Sequence, residues 1–206
     1  MRRELREGSA PQGRVVGVSI RQTVPSGQAV RPIEGRFCDF VGLALGGQSF
    51  AVSSGQISCP LARYVLGVNA PSDESVAKLM EGFLGWGVRN RGVAETILAS
   101  LPRLPVEKRI FEFFPMPTRS ITPDVILWFG HPVDAMERVI GFSYKKGLST
   151  VARLNGVGAL CGECFARVLS EGDPVVSLGC RGSRPCAGIL DDEIVHAATS
   201  VPNGDS

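Results

Sequence analysis

Histidine is nearly absent from this chain: His131 and His196 are the two present among 206 residues. That scarcity excludes the histidine-rich ligand sets of most catalytic zinc and non-haem iron sites. Long apolar runs are missing too. No stretch approaches the ~18 uninterrupted apolar residues of a spanning helix, so no membrane segment is expected. Charge of one sign is also lacking, with 22 Lys and Arg against 20 Asp and Glu, net +2. The longest basic runs are Arg2-Arg3 and Lys145-Lys146, which leaves no electrostatic case for nucleic acid or an acidic membrane. Residues 1–14 are polar, with no apolar run behind the basic start, so no secretory signal is expected and the cytoplasm is the expected compartment. Neither a Ser-His-Asp set nor a paired-carboxylate signature is visible.

What is present is a core and a set of thiols. Hydrophobic residues make up 44% of the chain, enough to build one substantial domain or two small packed ones. Six cysteines in a reducing compartment are read as thiols, metal ligands or redox groups before a disulfide framework. They are not scattered at random. Cys59, Arg63 and Gly67 and then Cys180, Arg184 and Gly188 both spell Cys-x3-Arg-x3-Gly. Upstream of each, Cys38 precedes Gly46 by eight residues and Cys164 precedes Gly172 by eight. The pattern predicts an internal duplication, since repeats decide architecture.

The coarse element reading agrees. Val15–Ile20 is expected as a strand, Phe37–Leu45 as a buried helix closed by Gly46-Gly47, and Phe50–Val52 as a strand. Cys59-Pro60 opens a short helix, with Pro suited to its first position. Ser72–Leu84 reads as a helix capped by Ser72, with Ser75 where a capping box would place Glu. Val93–Leu101 reads as a helix and Arg109–Phe114 as a strand. In the second half, Asp124–Phe129 is a continuous apolar strand of central type. A helix over Val133–Ile140, a strand and turn within Phe142–Leu154, a helix over Cys164–Leu169, a strand over Val175–Leu178 and a terminal helix over Asp191–Ala198 follow. The expected fold class is α/β or α+β. A duplicated unit, Cys–helix–strand–Cys–helix, is built twice around one mixed sheet or two packed sheets. It forms a single domain over 15–198, with halves of about 15–105 and 106–198 between tails at 1–14 and 199–206.

Thiolates are soft, charged donors suited to zinc, copper(I) and iron–sulfur clusters. Cys38, Cys59, Cys164 and Cys180 are the matched set and the expected metal ligands, with Cys161 and Cys186 auxiliary. Cys161-Gly-Glu-Cys164 is a Cys-x2-Cys unit, but the five residues between Cys180 and Cys186 depart from a zinc ribbon. The bland reading is that cysteines fill the core as small hydrophobes. Arg63 and Arg184 follow their cysteines by one helical turn, placing them to lower a thiol pKa or bind an anion. The plain alternative is a surface ion pair.

The segments Arg31–Cys38, Ile57–Pro60, Pro123–Leu127, Pro132–Met136 and Val176–Cys180 with Gly182-Ser-Arg184 resemble the domain-of-unknown-function 169 family of prokaryotic proteins. The resemblance spans about residues 15–195, and its most specific pieces are Ile57-Ser-Cys-Pro60 and Ser177-Leu-Gly-Cys-Arg-Gly-Ser-Arg184. It implies no catalytic residues. Members look common in anaerobic microbes, a setting suited to exposed thiolates and iron–sulfur chemistry.

Three functions compete on these residues. The first is a cysteine-based metal or iron–sulfur protein, redox-active and served by a redox partner. The second is a module binding a small anionic ligand through Arg63 and Arg184 in a cleft between halves. The third is a thiol enzyme with Cys161 or Cys164 as nucleophile and His131 as base.

Overall fold

The computed structural model describes residues 14–24, 30–70, 72–85, 87–117, 121–130, scattered positions of 133–144, and 153–155, 161–172, 175–178 and 195–200. The fold is mixed α/β. Among the described residues seven strands form one sheet: β1 (Arg14–Arg21), β2 (Phe50–Ser53), β3 (Ile110–Pro115), β4 (Val125–Gly130), β5 (Arg153–Asn155), β6 (Val175–Leu178) and β7 (Val195–Ser200). Their order is β2-β3-β1-β4-β7-β6-β5. All neighbours are antiparallel except β5 and β6. The named helices are α1 (Phe37–Leu45), α2 (Pro60–Val65), α3 (Asp73–Gly85), α4 (Arg91–Ser100) and α5 (Cys161–Glu171).

Side-chain alternation fixes the two faces of the sheet. Val16 and Val18 of β1, Phe111 and Phe113 of β3, Phe50 and Val52 of β2, and Val125, Leu127 and Phe129 of β4 share one face and belong to one buried cluster. Helices α1 and α5 cover that face, α1 against β1 and β3, α5 against β4 and β7. Phe37, the first residue of α1, is the hub. Its ring lies 6.0 Å from Phe111, 5.1 Å from Phe113 and 5.6 Å from Phe165 of α5. On the opposite face Phe114 and Trp128 are buried as well, together with Ser19 and Glu112. Arg21 pairs with that Glu112 at 3.2 Å.

Most expected elements are present within a residue or two. The cap of α3 is more complete than its sequence suggests. The Ser75 amide donates to Ser72 Oγ at 3.2 Å, and the Ser72 amide donates to Ser75 Oγ at 3.0 Å. A second serine thus performs the reciprocal role usually given to Glu.

Three expectations need correcting. The terminal helix over Asp191–Ala198 is contradicted, because Val195–Ser200 is a strand that also takes in Thr199 and Ser200 of the expected tail. The reason is tertiary: β4 needs a ladder partner on the side away from β1, and β7 fills that place. Helix α5 begins at Cys161, three residues before the expected start at Cys164, so both cysteines lie inside its first turn. Tyr144 is helical, as are Val133, Met136, Glu137, Ile140 and Gly141. Tyr144 thus falls as helix in the stretch read as strand and turn, where Arg153–Asn155 is the strand among the described residues.

Candidate functional site

Two cysteine-bearing segments are stitched together before either helix starts. Gly35 and Ile57 form a parallel bridge. The Gly35 amide donates to the Gln56 carbonyl at 3.0 Å, and the Ser58 amide donates to the Gly35 carbonyl at 2.9 Å. Gln56 adds a side-chain clamp, donating to the Arg31 and Ile33 carbonyls while its Oε1 accepts from the Ser53 amide at 2.7 Å. Cys38 follows Gly35 by three residues and Cys59 follows Ile57 by two, so the bridge delivers both thiols to one corner. Cys38 is buried and Cys59 half-buried.

Arg36 completes this corner. Its guanidinium forks onto Asp39, with Nε to Oδ2 at 3.1 Å and Nη2 to Oδ1 at 2.9 Å. Asp39 Oδ2 also accepts from the Arg36 amide at 2.8 Å, capping α1. Cys38, Cys59 and Arg36 are close enough to feel one another's charge. The Cys59 thiol is nevertheless pushed up from its ordinary value. Burial is the largest cause and a charge on Cys38 adds to it, while the amides of Ala62 and Leu61 and the Arg36 charge pull the other way.

The start of α5 lies against the starts of α1 and α2. A Cβ added at Gly162 would sit 3.3 Å from Ala62 Cβ and 3.6 Å from Phe37 Cβ. Glycine permits this close approach of backbones. The first turns of α1, α2 and α5, each bearing cysteine, therefore meet at one junction. Cys164 is fully buried in the apolar cluster. Beside it Glu163, 3% exposed, is pushed up to about 7, chiefly by burial, with the Arg167 guanidinium pulling it down. Arg167 Nη2 reaches Glu163 Oε1 at 3.3 Å, and Nη1 reaches Glu171 Oε1 at 2.9 Å. Glu163 Oε2 and Arg167 Nε are buried without a hydrogen-bond partner among the described residues.

The expected site residues are distributed as follows. Cys38 and Cys59 come together. Among the described residues no three His, Cys, Asp or Glu side chains form a metal-holding group, so Cys38, Cys59 and Cys164 do not make one by themselves. Cys180, Cys186, Arg184 and His131 lie outside the described residues, as does the side chain of Cys161. Arg63 is one turn beyond Cys59, its amide bonded to the Cys59 carbonyl at 2.9 Å. Its guanidinium turns elsewhere, Nη1 donating to the Ile57 carbonyl at 2.8 Å. The cation beside the thiols is Arg36, which sequence reasoning missed. Its signal was an arginine two residues before Cys38 and three before an aspartate at a helix start.

Among the described residues no helix is long and apolar enough to cross a membrane. The chain belongs to the DUF169 family, described as uncharacterised ArCR, whose model matches residues 4–202. It is similar to the uncharacterized protein MJ0308 of Methanocaldococcus jannaschii, 28% identical over 180 residues that span 86% of this chain and 76% of that one. No solved structure matches it significantly.

Proposed function

We propose that this member of the DUF169 family holds a soft metal ion or an iron–sulfur cluster at the junction of α1, α2 and α5. Cys38 and Cys59 form the first-half arm of the site. Thiols of the second half complete it, drawn from Cys161, Cys180 and Cys186, with Cys164 kept as a core residue. The observation that carries this reading is the Gly35–Ile57 bridge, which brings Cys38 and Cys59 to one corner beside the first turn of α5. Two neighbouring thiols whose ionisation is mutually unfavourable are stabilised as thiolates by a bound cation, which inverts the local pKa logic.

The same reading includes the duplication. β3 lies between β1 and β2, and β7 lies between β4 and β6. The two halves, β1–α1–β2–β3 and β4–β5–α5–β6–β7, with β5 an added edge strand in the second, are then related by a pseudo-two-fold axis between β1 and β4. On this reading the halves divide between Pro115 and Val125, later than the sequence boundary of about 105. Cys180 then corresponds to Cys59, and the second half supplies the matching thiol.

Purification under anaerobic conditions, with metal and acid-labile sulfide analysis, tests the reading. Iron with sulfide, or zinc alone, at one site per chain and lost in both Cys38→Ser and Cys59→Ser supports it. Metal content unchanged in those variants overturns it.

A further inference from the structure

A second site lies one helical turn from Cys59. A cleft of about 290 Å³ opens between α2 and α3, lined by Pro60, Arg63, Tyr64, Asn69, Ser72 and Lys78 among others. The Cys-x3-Arg-x3-Gly motif accounts for its shape. Cys59 caps α2, Arg63 projects from the middle, and Gly67, with φ +62°, turns the chain back toward α3.

Arg63 is fixed by neutral acceptors. Nη1 donates to the Ile57 carbonyl, and Nη2 donates to the Asn69 side chain once that amide presents its oxygen. Among the described residues no carboxylate pairs with Arg63, so its charge stays uncompensated while its plane is set. A guanidinium with a fixed plane and remaining N–H groups matches the two oxygens of a carboxylate. Tyr64 also lines the cleft, and the Arg103 guanidinium lies 5.1 Å from its ring centroid. Lys78 adds a second cation across the cleft. It is bound at 2.7 Å to Glu74 in a pair exposed to solvent, and such pairs exchange readily. Glu74 also lines the cleft and offsets part of its positive charge, which suits a monoanion better than a doubly charged ligand. The volume lies at the small end of ligand pockets.

The geometry points to a binding site for a small planar monocarboxylate in this cleft, with Arg63 gripping the carboxylate and Tyr64 facing the plane. The site does not depend on the thiol centre, and it lies within the first half of the chain.

Benzoate is a suitable probe, followed by backbone amide shifts of the full-length protein. The expected result is saturable shifts confined to residues 60–79 below about 20 mM, the range of a fragment-sized ligand. Benzamide, the neutral isostere, should bind roughly tenfold more weakly. Arg63→Lys should cost about tenfold in benzoate affinity, because a point charge replaces the fork. Arg63 also bonds Ile57, so Lys78→Gln, at an exposed position, serves as the second variant. It should weaken benzoate by a few-fold without altering the fold. Wild-type protein stripped of metal by a chelator should bind benzoate as the untreated protein does, which separates this site from the thiol reading. Equal affinity for benzamide, tighter binding of inorganic phosphate than benzoate, shifts elsewhere, or no saturable shift would overturn the assignment.

Discussion

Cys59 shows how one position serves two masters. As the cap of α2 it faces helix amides that favour a thiolate, yet burial dominates and its thiol is pushed up. In metal-free protein, alkylation of Cys59 should therefore be slow near neutral pH and accelerate as pH rises past the ordinary thiol range of about 8.5. A pH series of iodoacetamide labelling read by mass spectrometry checks this. Fast labelling at neutral pH would mean the thiolate is already stable without metal. Glu163 supplies a second residue-scale test. Its folded value of about 7 lies above the ordinary 4.5, so its contribution to stability is full below the lower value and lost as pH rises through the higher one. Thermal melts should fall between about pH 5 and pH 8, and Glu163→Gln should flatten that fall. Arg167 keeps Glu171 and the Ser100 carbonyl in that variant. Both cysteine-to-arginine spacings were legible in the sequence, but not where a guanidinium points. Arg63 turned to a main-chain carbonyl, and Arg36 became the cation at the thiols. A backbone bridge between residues 35 and 57 decided that, and no local pattern announces it.

At the scale of elements, α1 was legible because Phe37, Phe40, Val41 and Ala44 repeat at helical spacing and all four are buried. The cost of removing the hub follows from its packing against both the sheet and α5. Phe37→Ala should destabilise by about 3–5 kcal/mol in denaturant titration. Helix α2 ends through Gly67, where an added Cβ would lie 2.3 Å from the Pro105 carbonyl oxygen and 2.4 Å from that of Leu104. Gly67→Ala combines that clash with a left-handed φ and should cost about 2–4 kcal/mol. The strand at Val195–Ser200 was not legible. Val-His-Ala-Ala-Thr-Ser has no decisive period, and its helical reading lost to the hydrogen-bonding demand of β4 and β6 on either side.

For the whole molecule, the sheet order places β1 and β4 side by side at the centre, with the cysteine-bearing helices α1 and α5 on one face. The sequence repeat pairs Cys38 with Cys164 and Cys59 with Cys180 by spacing alone, and the proposed duplication rests on that pairing together with the strand order. Cys38 and Cys164 are both buried in the core cluster, and Cys38 has the half-buried Cys59 beside it. On the proposed reading Cys38 and Cys59 are required for metal binding, whereas Cys164→Ala should leave metal content intact while lowering stability. The most direct test is metal and sulfide content, with a visible spectrum, of anaerobically purified wild type beside Cys59→Ser. The account predicts one soft-metal centre per chain in the wild type and none in a folded Cys59→Ser. A wild type that carries neither metal nor colour after anaerobic reconstitution would contradict it.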